Sequence, residues 1–393
     1  MNEQPQLHPL ADKLALLPQT GRDTPMGRLL RKFWHPIARS ERLKPGKTMP
    51  LRILSEDLTL YRGESGEPHL VGGRCPHRRT LLHTGWVQGD TIRCMYHGWK
   101  FDGSGRCIER PAEDDVRPSR ERIAGYPVYE YCGLVFAFMG EGEPPPFELP
   151  RKDVFERSNG LLFTRSETWP CNWFQQIENS LDATHVSFVH HWGSVGTFGE
   201  AVAASIPQLE YLETEAGIRQ IATRSEKSRR VTDWTFPNNN HISQPGLRHD
   251  DPWIDVGIWM TPVDDTHTTR FILYSIPRST DDADRRITRY FDEFGDYEPA
   301  EFERELFRER RMPEDTLMQL TSAQDYVAAV GQGAIVDRSL ERLGKSDLGI
   351  AFMRRIFFRE LDTISAGRAT KPWRKLDHAA DMPHQVREPV PPQ

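Results

Sequence analysis

Two short runs in the first third of the chain, Cys75-Pro76-His77 and Cys94-Met95-Tyr96-His97, each set a thiol within three residues of an imidazole. His77 and Cys94 are separated by 16 residues. The pattern gives two hairpin-like loops, each supplying one sulfur and one ring nitrogen. Chance could place a buried thiol beside a hydrogen-bonded histidine once. Twice, in a chain with only five cysteines, points to a metal site.

The surrounding text fits such loops. From Leu51 to Gly140 the segments "LRILSEDLTLYRG", "EPHLVGGRCPH", "DTIRCMYHGWKFDGSG" and "YPVYEYCGLVFAFMG" alternate apolar residues between Gly, Asp-Gly and Pro breaks. That rhythm predicts a small all-β domain. The consecutive prolines of "EGEPPPFELP" end it. Ligand count allows either zinc with two Cys and two His or a Rieske [2Fe–2S] cluster, in which two thiolates hold one iron and two histidines the other. Zinc fingers carry their histidines three to five residues apart on a helix, and nothing here does so.

A second texture follows. "CNWFQQIENSLDATHVSFVHHW" has no Gly or Pro and helical spacing. Strand-like "DVGIWMTPV" and "TTRFILYSIP" come next, then two helical candidates, "PAEFERELFRERR" and "TLMQLTSAQDYVAAVGQGAIVDRSLERLG". An earlier short helix is expected over 28–34, "RLLRKFW". The fold class expected is α+β: an N-terminal arm over 1–30, an all-β domain over 31–145, and a helix-plus-antiparallel-sheet domain over 146–372. The tail, 373–393, is expected to be disordered.

Within the second domain, Asp182 and His185 lie three apart on one helical face, with Glu178 a turn earlier. His190, five after His185, falls off that face, so the helix should loosen or end there. Taken alone, an Asp-x-x-His pair is more often the polar surface of a helix. Two imidazoles so placed can bind one metal if an acidic ligand arrives from elsewhere. Two histidines and a carboxylate with open positions suit ferrous iron that activates oxygen.

Composition closes off other classes. A net charge of -6 argues against a general nucleic-acid binder, and no apolar run approaches a membrane span. The N-terminus lacks the basic start and apolar block of a secretory signal, and the cysteines do not form a disulfide framework. Cys107, Cys132 and Cys171 read as reduced core thiols, and the expected location is cytoplasmic. "VGQGAIV" lacks the third Gly of a dinucleotide fingerprint, so the chain is not expected to take hydride from NADH itself.

Together, "CPHRR…CMYHGWKFD", "GLVFAFMGEGEPPP" and "NWFQQIENSLDATHVSFVH" resemble the Rieske non-haem iron aromatic ring-hydroxylating oxygenases, terminal oxygenase (alpha) subunit, phthalate dioxygenase-like branch. The resemblance runs from "TPMGRLLRKFWHP" to "SDLGIAFMRR". It implies a Rieske cluster held by Cys75, His77, Cys94 and His97, with the cysteines on the inner iron and the histidines on the outer. Trp99 would shield it, and His83 would be surface or packing. It implies mononuclear Fe(II) held by His185, His190 and a late acidic residue. Asp325 is favoured over Asp337, and His190 over the adjacent His191. Asp182 would link a histidine ligand to a neighbouring subunit's cluster.

The chemistry implied uses O2 and electrons that start on NAD(P)H and pass through a separate reductase or ferredoxin. Its product is a hydroxylated or O-demethylated small aromatic substrate, with an aromatic carboxylate as one option. In the family, one chain's cluster serves the next chain's iron around a head-to-tail ring, so a homotrimer is expected. The alternatives are a Rieske electron carrier without catalysis and a zinc-stapled binding protein. Arg224, Arg229 and Arg230 could meet a carboxylate, although surface charge is the reading that residue type favours.

Overall fold

A computed structural model describes residues 10–113, 120–190, 205–225, 228–294, 300 and 317–376. The chain separates into two compact units, one of Thr20–Phe147 with Thr261–Asp264, the other of the remaining residues. This division differs from the expected boundaries at both ends. Helix α1 (Leu10–Leu16) falls in the larger unit and α2 (Pro25–Leu30) in the smaller. Trp373 and Leu376, placed in the expected disordered tail, are buried, and Trp373 stacks on Phe236 at 4.6 Å.

In the smaller unit α2 starts three residues earlier than the charged "RLLRKFW" run suggests. Thr24 Oγ1 accepts the Gly27 N–H at 3.0 Å, and Pro25 occupies the first helical turn, where its missing N–H costs nothing. The helix stops at Leu30 because Trp34 already pairs in a strand. That strand, β1 (Trp34–Arg39), is the first of eleven short ones: β2 (Thr48–Ile53), β3 (Glu56–Arg62), β4 (Pro68–Gly72), β5 (Trp86–Gln88), β6 (Thr91–Arg93), β7 (Lys100–Phe101), β8 (Cys107–Glu109), β9 (Gly125–Tyr126), β10 (Val128–Tyr131) and β11 (Leu134–Phe138). They form three antiparallel sheets, ordered β1-β11-β10, β2-β3-β4-β9 and β5-β6-β7-β8. Beyond α2, whose residues precede 31, the all-β expectation holds for this unit. One core cluster joins Tyr61, Val71, Leu82, Ile92 and Phe101 to Cys75, Cys94 and Trp99, so the thiol-bearing loops are rooted in packed hydrophobic structure.

The larger unit is built on a seven-stranded sheet of β12 (Gly160–Trp169), β13 (Gln208–Glu213), β14 (Gly217–Ser225), β15 (Ser228–Thr235), β16 (Asn239–Gln244), β17 (Ile254–Pro262) and β18 (Thr268–Pro277). Its order is β12-β18-β17-β16-β15-β14-β13. Among the described residues the helices are α3 (Trp173–Leu181), α4 (Val186–Val189), α5 (Asp281–Phe294), α6 (Leu317–Val330) and α7 (Leu348–Ser365), besides α1. Nine residues of β17 are buried along its whole length, as expected of a central strand.

Two helix expectations change. The run through "IENSLDATHVSFVH" is two helices, because Asp182 leaves helical geometry at ψ 96. Its Oδ1 instead accepts the N–H groups of Thr184 at 2.8 Å and His185 at 3.2 Å. A short carboxylate that captures nearby N–H groups competes with the helix ladder and starts the next turn. The late run 316–344 is helical only to Val330, since Gly331 and Gly333 follow and Gly333 adopts φ +91. The candidate helix over 299–311 lies, apart from Ala300, outside the described residues. None of the described helices is long and apolar enough to cross a membrane.

Candidate metal centres

The two thiol loops of the smaller unit are built alike. In the first, Cys75 N–H donates to Thr80 O at 2.9 Å and Cys75 O accepts Arg79 N–H at 2.9 Å. In the second, Cys94 N–H donates to Trp99 O at 2.8 Å and Cys94 O accepts Gly98 N–H at 3.1 Å. The fourth residue after each cysteine is left-handed, Arg79 at φ 62 and Gly98 at φ 73. Glycine takes this conformation freely; Arg79 takes it against the usual cost for a side chain.

Both sulfurs are buried, while His77 is exposed and His97 half-buried, their rings 4.5 Å apart. Trp99 is buried and stacks on His77 at 4.8 Å. Burial pushes the Cys75 thiol up; the His77 backbone partly offsets this, and the adjacent Cys94 adds to the rise. Two buried sulfurs side by side ionise readily only against a cation, so the donor set fits an iron cluster. The sulfur pair faces inward and the imidazole pair outward, the polarity a Rieske cluster needs. Cys107, Cys132 and Cys171 are free thiols.

In the larger unit, α3 and α6 bring together residues more than a hundred positions apart. Asn172 caps α3 by accepting Phe174 N–H at 2.9 Å. Gln175, one turn later, donates to Ala329 O at 3.2 Å and Gly333 O at 3.0 Å, and accepts Val336 N–H at 2.9 Å. The C-terminal end of α6 is thereby fixed against α3. Earlier in α6, Ser322 Oγ donates to the buried Glu167 carboxylate of β12 at 2.6 Å. Asp325, three residues on, shares its face.

His185, His190 and Asp325 present ligand atoms that all lie within 4.8 Å of one another. Asp325 Oδ1 is 3.5 Å from His185 Nε2 and 3.4 Å from His190 Nε2. Among the described residues, buried Asp325 Oδ1 and His185 Nδ1 find no hydrogen-bond partner. Burial opposes ionisation of Asp325, yet His190, His185 and Arg270 hold its carboxyl far below the ordinary range. Burial lowers the His185 pKa, with Asp325 opposing and His190 adding to the effect, so the ring is neutral at neutral pH. An ionised carboxylate and a neutral imidazole converging on orphaned atoms are the donors a divalent cation requires. The open cluster fits ferrous iron.

Other site residues fall differently. Asp182 Oδ2 sits 3.8 Å from His185 Nδ1. Asp337 is exposed and occupied with Ser339 at 2.6 Å, away from the cluster. Glu178 is buried between Arg338 and Arg354 and serves packing. His191 lies outside the described residues. Gln324 accepts from His190 Nδ1 at 2.9 Å; the Gln-Asp pair in the sequence pointed to Asp325, but only the tertiary approach of α6 gives Gln324 a role of its own. The surface reading of Arg230 also changes: it is half-buried and lines the cavity above the histidines, with Trp169, Ile242, Met260 and Arg270.

Donor sets of this make, one suited to a cluster that passes single electrons and one to a metal with open positions, are those a terminal oxygenase requires. A Rieske [2Fe-2S] domain model matches residues 33–127. The chain is 33% identical over 381 residues to the 5,5'-dehydrodivanillate O-demethylase oxygenase subunit of Sphingobium sp., covering 92% of this chain and 81% of that protein. It is 27% identical to the phthalate 4,5-dioxygenase oxygenase subunit of Pseudomonas putida, covering 88% and 85%. The oxygenase in the oxygenase–ferredoxin complex of carbazole 1,9a-dioxygenase shares the fold, with TM-score 0.66 at 16% identity over 95% of this chain and 96% of that one. The chain belongs to the Rieske non-haem iron ring-hydroxylating oxygenases, phthalate dioxygenase-like branch, as an oxygenase subunit. It is an oxidoreductase that works with a [2Fe–2S] cluster, mononuclear iron, O2 and a separate electron donor.

Proposed function

We propose that His185, His190 and Asp325 hold the mononuclear iron, that Cys75, Cys94, His77 and His97 hold the cluster, and that the substrate is a small aromatic compound. The convergence of two imidazoles and one carboxylate on a single cavity carries this reading. When bound, the cluster supplies electrons singly and the mononuclear iron supplies the place where O2 is reduced. The protein's own residues do the rest. Gln324 holds the His190 ring by its Nδ1, Asp182 stands beside the His185 Nδ1, and the apolar wall of Ile242, Val256 and Ile258 positions the ring and excludes water.

Asp182 is read as the link from His185 to the cluster of an adjacent protomer in a homotrimer; its carboxylate reaches toward the ligand ring from the break between α3 and α4. The relative named for an O-demethylase and the one named for a dioxygenase support either outcome, cleavage of an aryl methyl ether or ring hydroxylation. The test is oxygen uptake by reconstituted protein with a surrogate reductase over methoxy-aromatic and aromatic acids. Formaldehyde release marks demethylation, and hydroxylated product marks ring attack. Full loading of both metals with no aromatic-dependent oxygen uptake across that panel would reject the reading. A mass of three times 45.3 kDa in light scattering supports the trimer, and a monomer rejects it.

A further inference from the structure

The cavity over the His185–His190–Asp325 cluster has one apolar wall, from Ile242, Val256, Ile258, Met260 and Ile272, and two guanidinium groups, Arg230 and Arg270. The two arginines are not equivalent. Arg270 is compensated within the protein: Nη1 lies 3.5 Å from Glu167 and 3.4 Å from Ser322 Oγ, and the guanidinium sits 4.1 Å over the Trp169 ring. Arg230, on β15, has no carboxylate or hydrogen-bond partner among the described residues, and its Nε is shielded from solvent. Burial, reinforced by Arg224, lowers its pKa to about 10, so it stays cationic at neutral pH. Arg224 itself is turned away, donating to Ser205 O at 3.1 Å and Ala183 O at 3.4 Å.

A desolvated guanidinium without a counter-charge is costly, and the cost is relieved when a ligand brings the anion. The planar fork of Arg binds a carboxylate through two parallel hydrogen bonds. We infer that Arg230 anchors a single carboxylate on the substrate, making this chain selective for aryl monocarboxylates whose ring lies along the apolar wall. This rests on the oxygenase reading and narrows it. One uncompensated guanidinium matches one anion. A second carboxylate would have only Arg270, which already faces Glu167 at 3.5 Å, a carboxylate that Arg165 approaches at 3.5 Å from its other oxygen. The cavity measures about 110 Å³, below the roughly 150 Å³ of a cavity that admits benzene, so it sets one ring as the upper limit on size.

The test uses metal-loaded protein titrated calorimetrically with benzoate, its neutral isostere benzamide, and phthalate. Benzoate is expected to bind about ten- to a hundred-fold tighter than benzamide, with phthalate no tighter than benzoate. In Arg230→Met the benzoate-to-benzamide ratio should fall to about one, and Arg230→Lys should keep part of it, both with unchanged cluster absorption. Equal wild-type affinities for benzoate and benzamide overturn the anchor, and this comparison needs no variant to fold. An unchanged ratio in Arg230→Met overturns it as well, and phthalate binding tenfold tighter than benzoate overturns the single-anion preference.

Oxygen uptake separates the two levels. Uptake driven by methoxybenzene and not by 3-methoxybenzoate removes the anchor and leaves the oxygenase. Arg230-dependent benzoate binding without aromatic-driven uptake supports the anchor and removes the oxygenase reading.

Discussion

Gln324 Oε1 accepts a hydrogen bond from His190 Nδ1 at 2.9 Å, while Asp325, its neighbour in the chain, faces the other ring nitrogen at 3.4 Å. Consecutive helical residues thus grip both sides of one imidazole. An amide oxygen can only accept, so the proton is fixed on Nδ1 and the Nε2 lone pair is free for a metal.

Replacing Gln324 with Leu removes that acceptor at similar volume. Iron affinity of the second centre should fall by about ten- to a hundred-fold, read as iron lost to a chelator, with the cluster's visible absorption unaltered. Iron retention equal to wild type would show that the ring is oriented by other contacts.

Asp325→Ala removes the carboxylate that both imidazoles face. Total iron should drop from about three to about two per chain, because only the cluster remains. Asp337→Ala, at an exposed position bonded to Ser339, should leave the count unchanged. Iron analysis alongside cluster absorption decides between them.

Asp182→Asn keeps an oxygen for the Thr184 and His185 N–H groups and so preserves the turn that starts α4. It removes the negative charge beside His185 Nδ1. Both metals should remain bound while turnover is largely abolished. Turnover near wild type with intact metals would exclude Asp182 from the electron path.

His35 is fully buried and its Nε2 donates to Leu30 O at 2.8 Å. Burial, opposed by that carbonyl and aided by Arg31, lowers its pKa from 6.5 to about 4. A base depressed in the folded state binds its proton first when unfolded. Stability contributed by the neutral ring is therefore whole above pH 6.5 and is lost as pH falls toward about 4, roughly 3 kcal/mol in total. His35→Gln, whose amide can still donate to Leu30 O, should flatten this slope in denaturant titrations between pH 7 and 4.5. Parallel slopes for the two proteins would rule His35 out as the titrating group.

Much of this was legible in the sequence because it is local. Cys75-x-His77 and Cys94-x-x-His97 are each complete within one loop, and the reciprocal bonds at Cys75 and Cys94 close over five residues. Strand rhythm marked the β unit for the same reason. Helix limits were less legible: Asp182 stops α3 through its own side chain, and Gly331 and Gly333 follow the end of α6. Such stops depend on φ, ψ and side-chain capture rather than on the spacing of apolar residues.

The sequence by itself determined the ligand types, the histidine spacing and the chemistry they suit. Only the tertiary structure decided which acid meets them, that Gln324 steers His190, and that Arg230 faces the cavity rather than solvent. The reason is separation along the chain. His190 and Asp325 are 135 residues apart by number, and their approach is set by Gln175 clamping α6 and Ser322 pinning it to Glu167. No local pattern encodes that approach, since it exists only once the core has packed.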